Sequence, residues 1–66
     1  MLVNVIENGK KSSYELPEGA TILDLLSFID RYPDSYIAMK GSVPVPMTER
    51  LNEGQVIKLV KVASGG

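Results

Sequence analysis

Residues 2–9, Leu-Val-Asn-Val-Ile-Glu-Asn-Gly, decide the fold, because a strand-forming run leads directly into a tight-turn signal. Asn-Gly favours a two-residue turn in which both central residues take positive φ, and such a turn joins antiparallel strands. The segment predicts a strand from Leu2 to Glu7 and a second strand returning from Lys10 to Leu16. With a period of two, four residues of this hairpin should share the buried face. They are Val3, Val5, Tyr14 and Leu16.

One helix is predicted after the hairpin. Thr21 precedes Asp24 by three residues, which approximates a capping box and predicts a helix beginning at Ile22. An apolar stripe with helical spacing should pack on the hairpin. It consists of Ile22, Leu25, Leu26 and Ile29. Pro33 should end the helix, because the residue before a proline is pushed out of the α region.

Three extended segments follow the helix. Tyr36 to Lys40 is a short strand candidate that stops at Gly41. Val43 to Pro46 contains two prolines, so it should lie along an edge or in a loop. After a turn at Asn52-Glu53-Gly54, Gln55 to Val62 is the most β-prone segment, and we expect it at the centre of the sheet. The order predicts an α+β fold: a mixed sheet of four to five strands with one main helix across one face.

Composition limits the classes of protein to consider. The 66 residues support one domain and include no cysteine or histidine, so packing of apolar side chains must supply the stability. Seven basic and eight acidic residues offer little attraction for phosphate backbones, and we expect no nucleic-acid partner. No apolar stretch approaches the roughly 20 residues of a membrane span, and no signal peptide is evident, so we expect a cytoplasmic protein without membrane contact. A compact domain that meets successive partners in transient complexes should be a monomer.

The last strand has apolar residues on both of its faces. They are Val56, Ile57, Leu59, Val60 and Val62. We expect Ile57 and Leu59 to point towards the helix, which puts Val60 and Val62 on the open face beside Ala38. These three residues form the predicted partner-binding patch. The alternative is that edge effects, or Met47 with the proline segment, cover them.

The last four residues, Ala63-Ser64-Gly65-Gly66, lack packing side chains, so we predict a domain over residues 1–62 and a flexible tail over 63–66. An ordinary frayed terminus is the alternative, although two glycines end a chain by chance in only about one case in 200. Backbone without Cβ fits a slot that closes around bare peptide, so Gly65 is a predicted threading residue, and Ser64, the small residue before it, is the other. The carboxylate of Gly66 is ionised at neutral pH and must be activated before it reacts.

Several features together resemble the ubiquitin-like sulfur carriers of the ThiS and MoaD families, over the whole chain. They are the Asn-Gly hairpin, the helix after Thr21, the turn at Gly41 and the Gly65-Gly66 end. The length and the Val43-Pro44 step are closer to the thiamine-pathway carriers. The resemblance implies a ubiquitin-like β-grasp fold and a chain that is not itself an enzyme.

The resemblance also implies the chemistry and the partners. An adenylyltransferase related to ubiquitin-activating enzymes would adenylate Gly66 with ATP and Mg, and the chain would bind no cofactor tightly. A cysteine desulfurase or a rhodanese-type donor would then supply sulfur for a thiocarboxylate at Gly66. An acceptor synthase such as thiazole synthase would use it, with molybdopterin synthesis and tRNA thiolation also open. The sequence departs from the commonest family pattern at Ala63-Ser64 and at Gln55.

Two other functions fit the same sequence. A protein modifier would be conjugated to lysines through Gly66, by the same activated carboxyl. A non-covalent ubiquitin-like interaction domain would not need its tail.

Overall fold

A five-stranded mixed sheet crossed by one α-helix makes up the computed structural model, which describes residues 1–62. The elements are β1 (Leu2–Glu7), β2 (Lys10–Glu15), α1 (Ile22–Phe28), a short 3-10 helix (Pro33–Ser35), β3 (Tyr36–Lys40), β4 (Val43–Val45) and β5 (Val56–Lys61). The spatial order is β2-β1-β5-β3-β4. β1 and β5 run parallel, and the other neighbouring strands run antiparallel. The predicted α+β fold and the central place of the last strand are confirmed.

The β1–β2 hairpin has the predicted turn. Asn8 and Gly9 both take positive φ, of 52° and 75°, and Glu7 pairs with Lys10 across the turn. The predicted core residues Val3, Val5 and Leu16 are buried. Tyr14 is only half-buried, and its ring meets that of Phe28 edge-on with centroids 6.0 Å apart.

The helix begins as predicted. The side chain of Thr21 accepts a hydrogen bond from the backbone N–H of Asp24 at 3.3 Å, and the Asp24 carboxylate accepts one from the backbone N–H of Thr21 at 2.9 Å. These reciprocal bonds satisfy amides that the first helical turn leaves without partners. Three residues of the predicted stripe are fully buried and the fourth is half-buried. They are Ile22, Leu25 and Leu26, followed by Ile29 at the C-cap.

The helix ends at Phe28, so the prediction that it continues to Pro33 is wrong. Asp30 takes a left-handed φ of 58°, which turns the chain out of the helix. The N–H of Arg31 then donates to the carbonyl of Leu26 at 2.8 Å, the long bond of a Schellman motif. This turn closes before the proline is reached.

Apolar side chains form the core between α1 and the sheet. Among residues 1–62 no polar or charged side chain is fully buried. The core residues are Val3, Val5, Leu16, Ala20, Ile22, Leu25, Leu26, Ala38, Leu51, Ile57 and Leu59. Burial of Ile57 and Leu59 confirms the predicted orientation of β5. β4, which contains Pro44, lies at the edge of the sheet as expected.

The two acidic residues at opposite ends of α1 allow a test of how the helix is terminated. Asp24→Asn should lower the free energy of unfolding by about 0.5–1 kcal/mol, because the carboxylate favours the positive end of the helix dipole. Asp30→Asn should raise it by about 0.5 kcal/mol, because it removes a negative charge beside the last carbonyls and asparagine tolerates positive φ. Urea denaturation at low salt measures both changes. The same sign in both variants would contradict the assigned helix ends.

Candidate functional site

The predicted working residues Ser64, Gly65 and Gly66 lie outside the described residues, so their roles stay predictions, as does the domain boundary at Val62. The structure does describe the segment that leads into them, Lys61 and Val62, which we call the tail root. β5 ends at Lys61, and the N–H of Val62 donates to the carbonyl of Ser35 at 2.9 Å. The tail root therefore lies beside the start of β3.

The sheet face turned away from α1 is apolar around β5. Val60 pairs with Ile37 on β3, and paired residues share a face. Their exposed fractions are 36% and 43%, and Val56 on the same face is 42% exposed. We call Ile37, Val56 and Val60 the open-face patch. Val62 follows at the next outward position of the chain and is half-buried.

The prediction that Ala38 belongs to this patch is wrong. Ala38 is fully buried and pairs with Leu59, so it faces α1. Its neighbour Ile37 occupies the predicted place opposite Val60. Sequence reasoning missed Ile37 because β3 has consecutive apolar residues, so alternation does not reveal which of them faces the core.

Two lysines lie on the same face as the open-face patch. Lys58 pairs with Ile6 and with Met39, and Lys11 pairs with Ile6 from the other side. The three ion pairs found among residues 1–62 include neither Lys58 nor Lys11. The open face therefore combines exposed apolar area with positive charge. It complements an apolar surface rimmed by carboxylates.

On the opposite face, a polar network closes the core next to the tail root. Glu7 accepts hydrogen bonds from Arg31 Nε and Nη2, each at 3.1 Å, and from Tyr36 Oη at 2.9 Å. Arg31 Nη1 also donates to the carbonyl of Ile29 at 2.9 Å. We call Glu7, Arg31 and Tyr36 the Glu7 cluster. Sequence reasoning missed this cluster, although Glu7 follows Val3 and Val5 at the alternate positions of β1 that face α1.

The cluster shifts the ionisation of its members. The hydrogen bonds from Arg31 lower the pKa of Glu7 below its ordinary value, and Tyr36 and the charge of Lys61 act in the same direction. The bond to the Glu7 carboxylate raises the pKa of the Tyr36 phenol, and desolvation adds to this rise. The pair is held as carboxylate and neutral phenol at neutral pH.

A groove, a metal site and a membrane-spanning helix are the other functional features to consider in the described residues. A shallow groove beside α1 is lined by Leu23, Ser27, Asp30, Arg31, Tyr32 and Pro33. Residues 1–62 bring together no group of three acidic side chains placed to hold a metal ion. No helix in this part of the chain has the length and apolar character that a bilayer span requires.

No protein-family model matches the chain, and neither does any curated protein. A solved structure that does match is the crystal structure of SAMP1 from Haloferax volcanii, with a TM-score of 0.75. The two chains are 13% identical, and the match covers 100% of each. At this identity the likeness shows the fold alone, which is the ubiquitin-like β-grasp fold that the family resemblance implied.

The orientation of β5 can be tested with one substitution at two adjacent positions. Leu59→Asp should unfold the domain, because it buries a carboxylate without a partner beneath α1. Val60→Asp should change the free energy of unfolding by no more than about 1 kcal/mol, because the side chain reaches solvent on the open face. Circular dichroism during thermal unfolding measures both effects. Equal loss of structure would show that both faces of β5 are core.

The Glu7 cluster predicts a specific pH dependence of stability. The folded-state pKa of Glu7 is lowered, so its contribution is present above the ordinary value of 4.5 and is lost as the pH falls through the folded pKa. Glu7→Gln should therefore be less stable than the unaltered protein at pH 7, and the difference should shrink below about pH 4. The folded-state pKa of Tyr36 is raised, so its stabilising contribution has the opposite pH dependence: it is fully present below the ordinary value of 10.0 and is lost as the pH rises through the folded pKa. Denaturation measured across this range tests both signs.

Proposed function

We propose that this chain is a ubiquitin-like sulfur carrier whose Gly66 carboxyl is adenylated and then converted to a thiocarboxylate. The observation that supports the proposal best is that a β-grasp domain is continuous with a glycine-rich end of the sequence. A β-grasp domain has its last strand at the centre of the sheet, and that strand leads through Val62 into the Gly65-Gly66 end of the sequence. The rigid domain serves for recognition, and the glycines serve for reaction.

The reaction takes place on partner enzymes. A carboxylate oxygen of Gly66 attacks the α-phosphorus of ATP, pyrophosphate leaves, and an acyl adenylate forms on a ubiquitin-activating-enzyme-like adenylyltransferase that holds ATP and Mg. The terminal sulfur of a donor persulfide then attacks the acyl carbon and AMP leaves. A thiol reduces the resulting acyl disulfide and releases the thiocarboxylate, a sulfur nucleophile. The sequence contains no cysteine, so the sulfur is carried on the terminus and on no side chain.

The described residues provide the surface on which the adenylyltransferase docks. The open-face patch offers apolar area for the adenylyltransferase, and Lys58 and Lys11 add the charge that favours a carboxylate-rimmed partner surface. This surface faces away from α1 and adjoins the tail root. A partner bound there leaves the tail free to enter an active site.

We propose thiazole synthase as the enzyme that accepts the sulfur. This choice follows the Val43-Pro44 step, which is closer to the thiamine-pathway carriers than to the small subunit of molybdopterin synthase. Molybdopterin synthesis and tRNA thiolation use the same thiocarboxylate chemistry, so the acceptor has to be identified after the thiocarboxylate.

Intact mass spectrometry tests the proposal. The purified protein, whose mass first establishes Gly66 as its last residue, is incubated with ATP, Mg, a persulfide sulfur donor and an extract of its source cells. We expect an ATP-dependent mass gain equal to sulfur replacing oxygen, located on the peptide that ends in Gly66. The gain should disappear when Gly65-Gly66 is deleted, and it should form more slowly with Val60→Asp.

Two results would contradict the carrier function. Conjugation to lysines of other proteins, without the mass gain, would indicate a protein modifier. Trypsin would cut such a conjugate after Lys61 and leave residues 62–66 on the target lysine. Neither product in an extract that converts a known sulfur carrier would indicate a non-covalent interaction domain.

A further inference from the structure

The Glu7 cluster spans the strand that leads into the tail. Glu7 lies on β1 and pairs with Leu59, whereas Tyr36 lies on β3 and pairs with Lys61. β1 and β3 flank β5 on opposite sides, and neighbouring strands are roughly 4.8 Å apart. The 2.9 Å bond from Tyr36 Oη to the Glu7 carboxylate therefore crosses β5 on its helix side.

Arg31 fastens this crossing to the end of α1. Its guanidinium holds the Glu7 carboxylate through Nε and Nη2 and the Ile29 carbonyl through Nη1. The first strand, the third strand and the helix end are thus tied together over the last residues of β5. Immediately beyond the crossing, the N–H of Val62 is held by the carbonyl of Ser35 at 2.9 Å.

We propose that the Glu7 cluster is a positioning clasp, which fixes the direction in which the chain leaves the domain at Val62. This inference rests on the proposed function, because the direction matters only if Gly66 must reach an active site. Strand ends open locally at low cost in free energy unless something holds them. The clasp lies where such opening would reorient the tail root.

Geometry makes this direction important for the reaction. Held extended in a slot of the adenylyltransferase, four residues such as 63–66 would span at most roughly 13 Å, so a rotation of about 10° at Val62 would move the Gly66 carboxyl by about 2 Å. Misplacement of a reacting group by about 1 Å can cost about 100-fold in rate. Loss of the clasp should therefore lower the rate of adenylation within the bound complex, while docking through the open-face patch is retained.

The chain offers a matched control for a purely structural ion pair. Lys40 and Glu49 form a second side-chain ion pair at 3.0 Å, with side chains 37% and 36% exposed. Glu49 lies between β4 and β5 in the sequence, outside both strands, and the pair does not connect the two neighbours of β5. Glu49→Gln removes one carboxylate charge without touching the crossing bond.

The experiment compares Tyr36→Phe, Glu7→Gln and Glu49→Gln with the unaltered protein. The adenylyltransferase is purified from the extract that supports thiocarboxylation, and ATP–pyrophosphate exchange gives kcat and KM for each carrier. We expect Tyr36→Phe and Glu7→Gln to lower kcat about 5- to 10-fold and to change KM less than about 2-fold. Glu49→Gln should change neither. Amide hydrogen exchange at Val62 should be faster in the two clasp variants only.

Each other outcome overturns the inference. Unchanged kcat in the clasp variants, an equal fall in Glu49→Gln, or a rise in KM alone would show that the cluster does not position the tail. If the unaltered protein is not adenylated at all, the proposed function fails, and exchange at Val62 still decides the clasp because it needs no partner enzyme. Unchanged exchange there would show that the cluster does not hold the tail root.

Discussion

The parallel pairing of β1 with β5 is the constraint on which the rest of the structure depends. β5 lies between the β1–β2 hairpin and the β3–β4 pair, so its backbone hydrogen bonds join the two halves of the sheet. The register that pairs Glu7 with Leu59 places Leu59 beneath α1 and Val60 on the open face. A slip of one residue would exchange these two faces. One register therefore determines the core, the open-face patch and the position of Glu7 beside the tail root.

Most of the fold was predictable because its signals are local. Asn8-Gly9 takes the positive φ that a tight hairpin needs, and the Thr21 cap forms within one helical turn. The end of α1 was not predictable in this way, because the residue that makes the left-handed turn is Asp30 and not the glycine that usually marks such a turn. The Glu7 cluster was not predictable either, since it joins residues that only the completed sheet brings together.

The fold and the site make different demands on the sequence, which explains how 13% identity accompanies a structural match over the full length of both chains, with a TM-score of 0.75 to SAMP1. The core needs apolar side chains of suitable volume at alternating positions, and many combinations satisfy that need. The turns need residues that accept positive φ. The proposed chemistry asks nothing of the core, because the reacting group is a backbone carboxyl. Such a domain keeps its shape while most of its residues change.

The parallel arrangement of β1 and β5 also determines how the domain responds to mechanical force. The chain enters β1 at Leu2 and leaves β5 towards Val62 at the opposite end of the sheet. A pull between these two points acts along the strands, whereas the hydrogen bonds that join them run across. All the bonds of this pair are then loaded together in shear, unlike those of a hairpin, which open one after another. A molecular motor that pulls on the tail, while the other end of the chain is held, would meet the strongest resistance at the centre of the sheet.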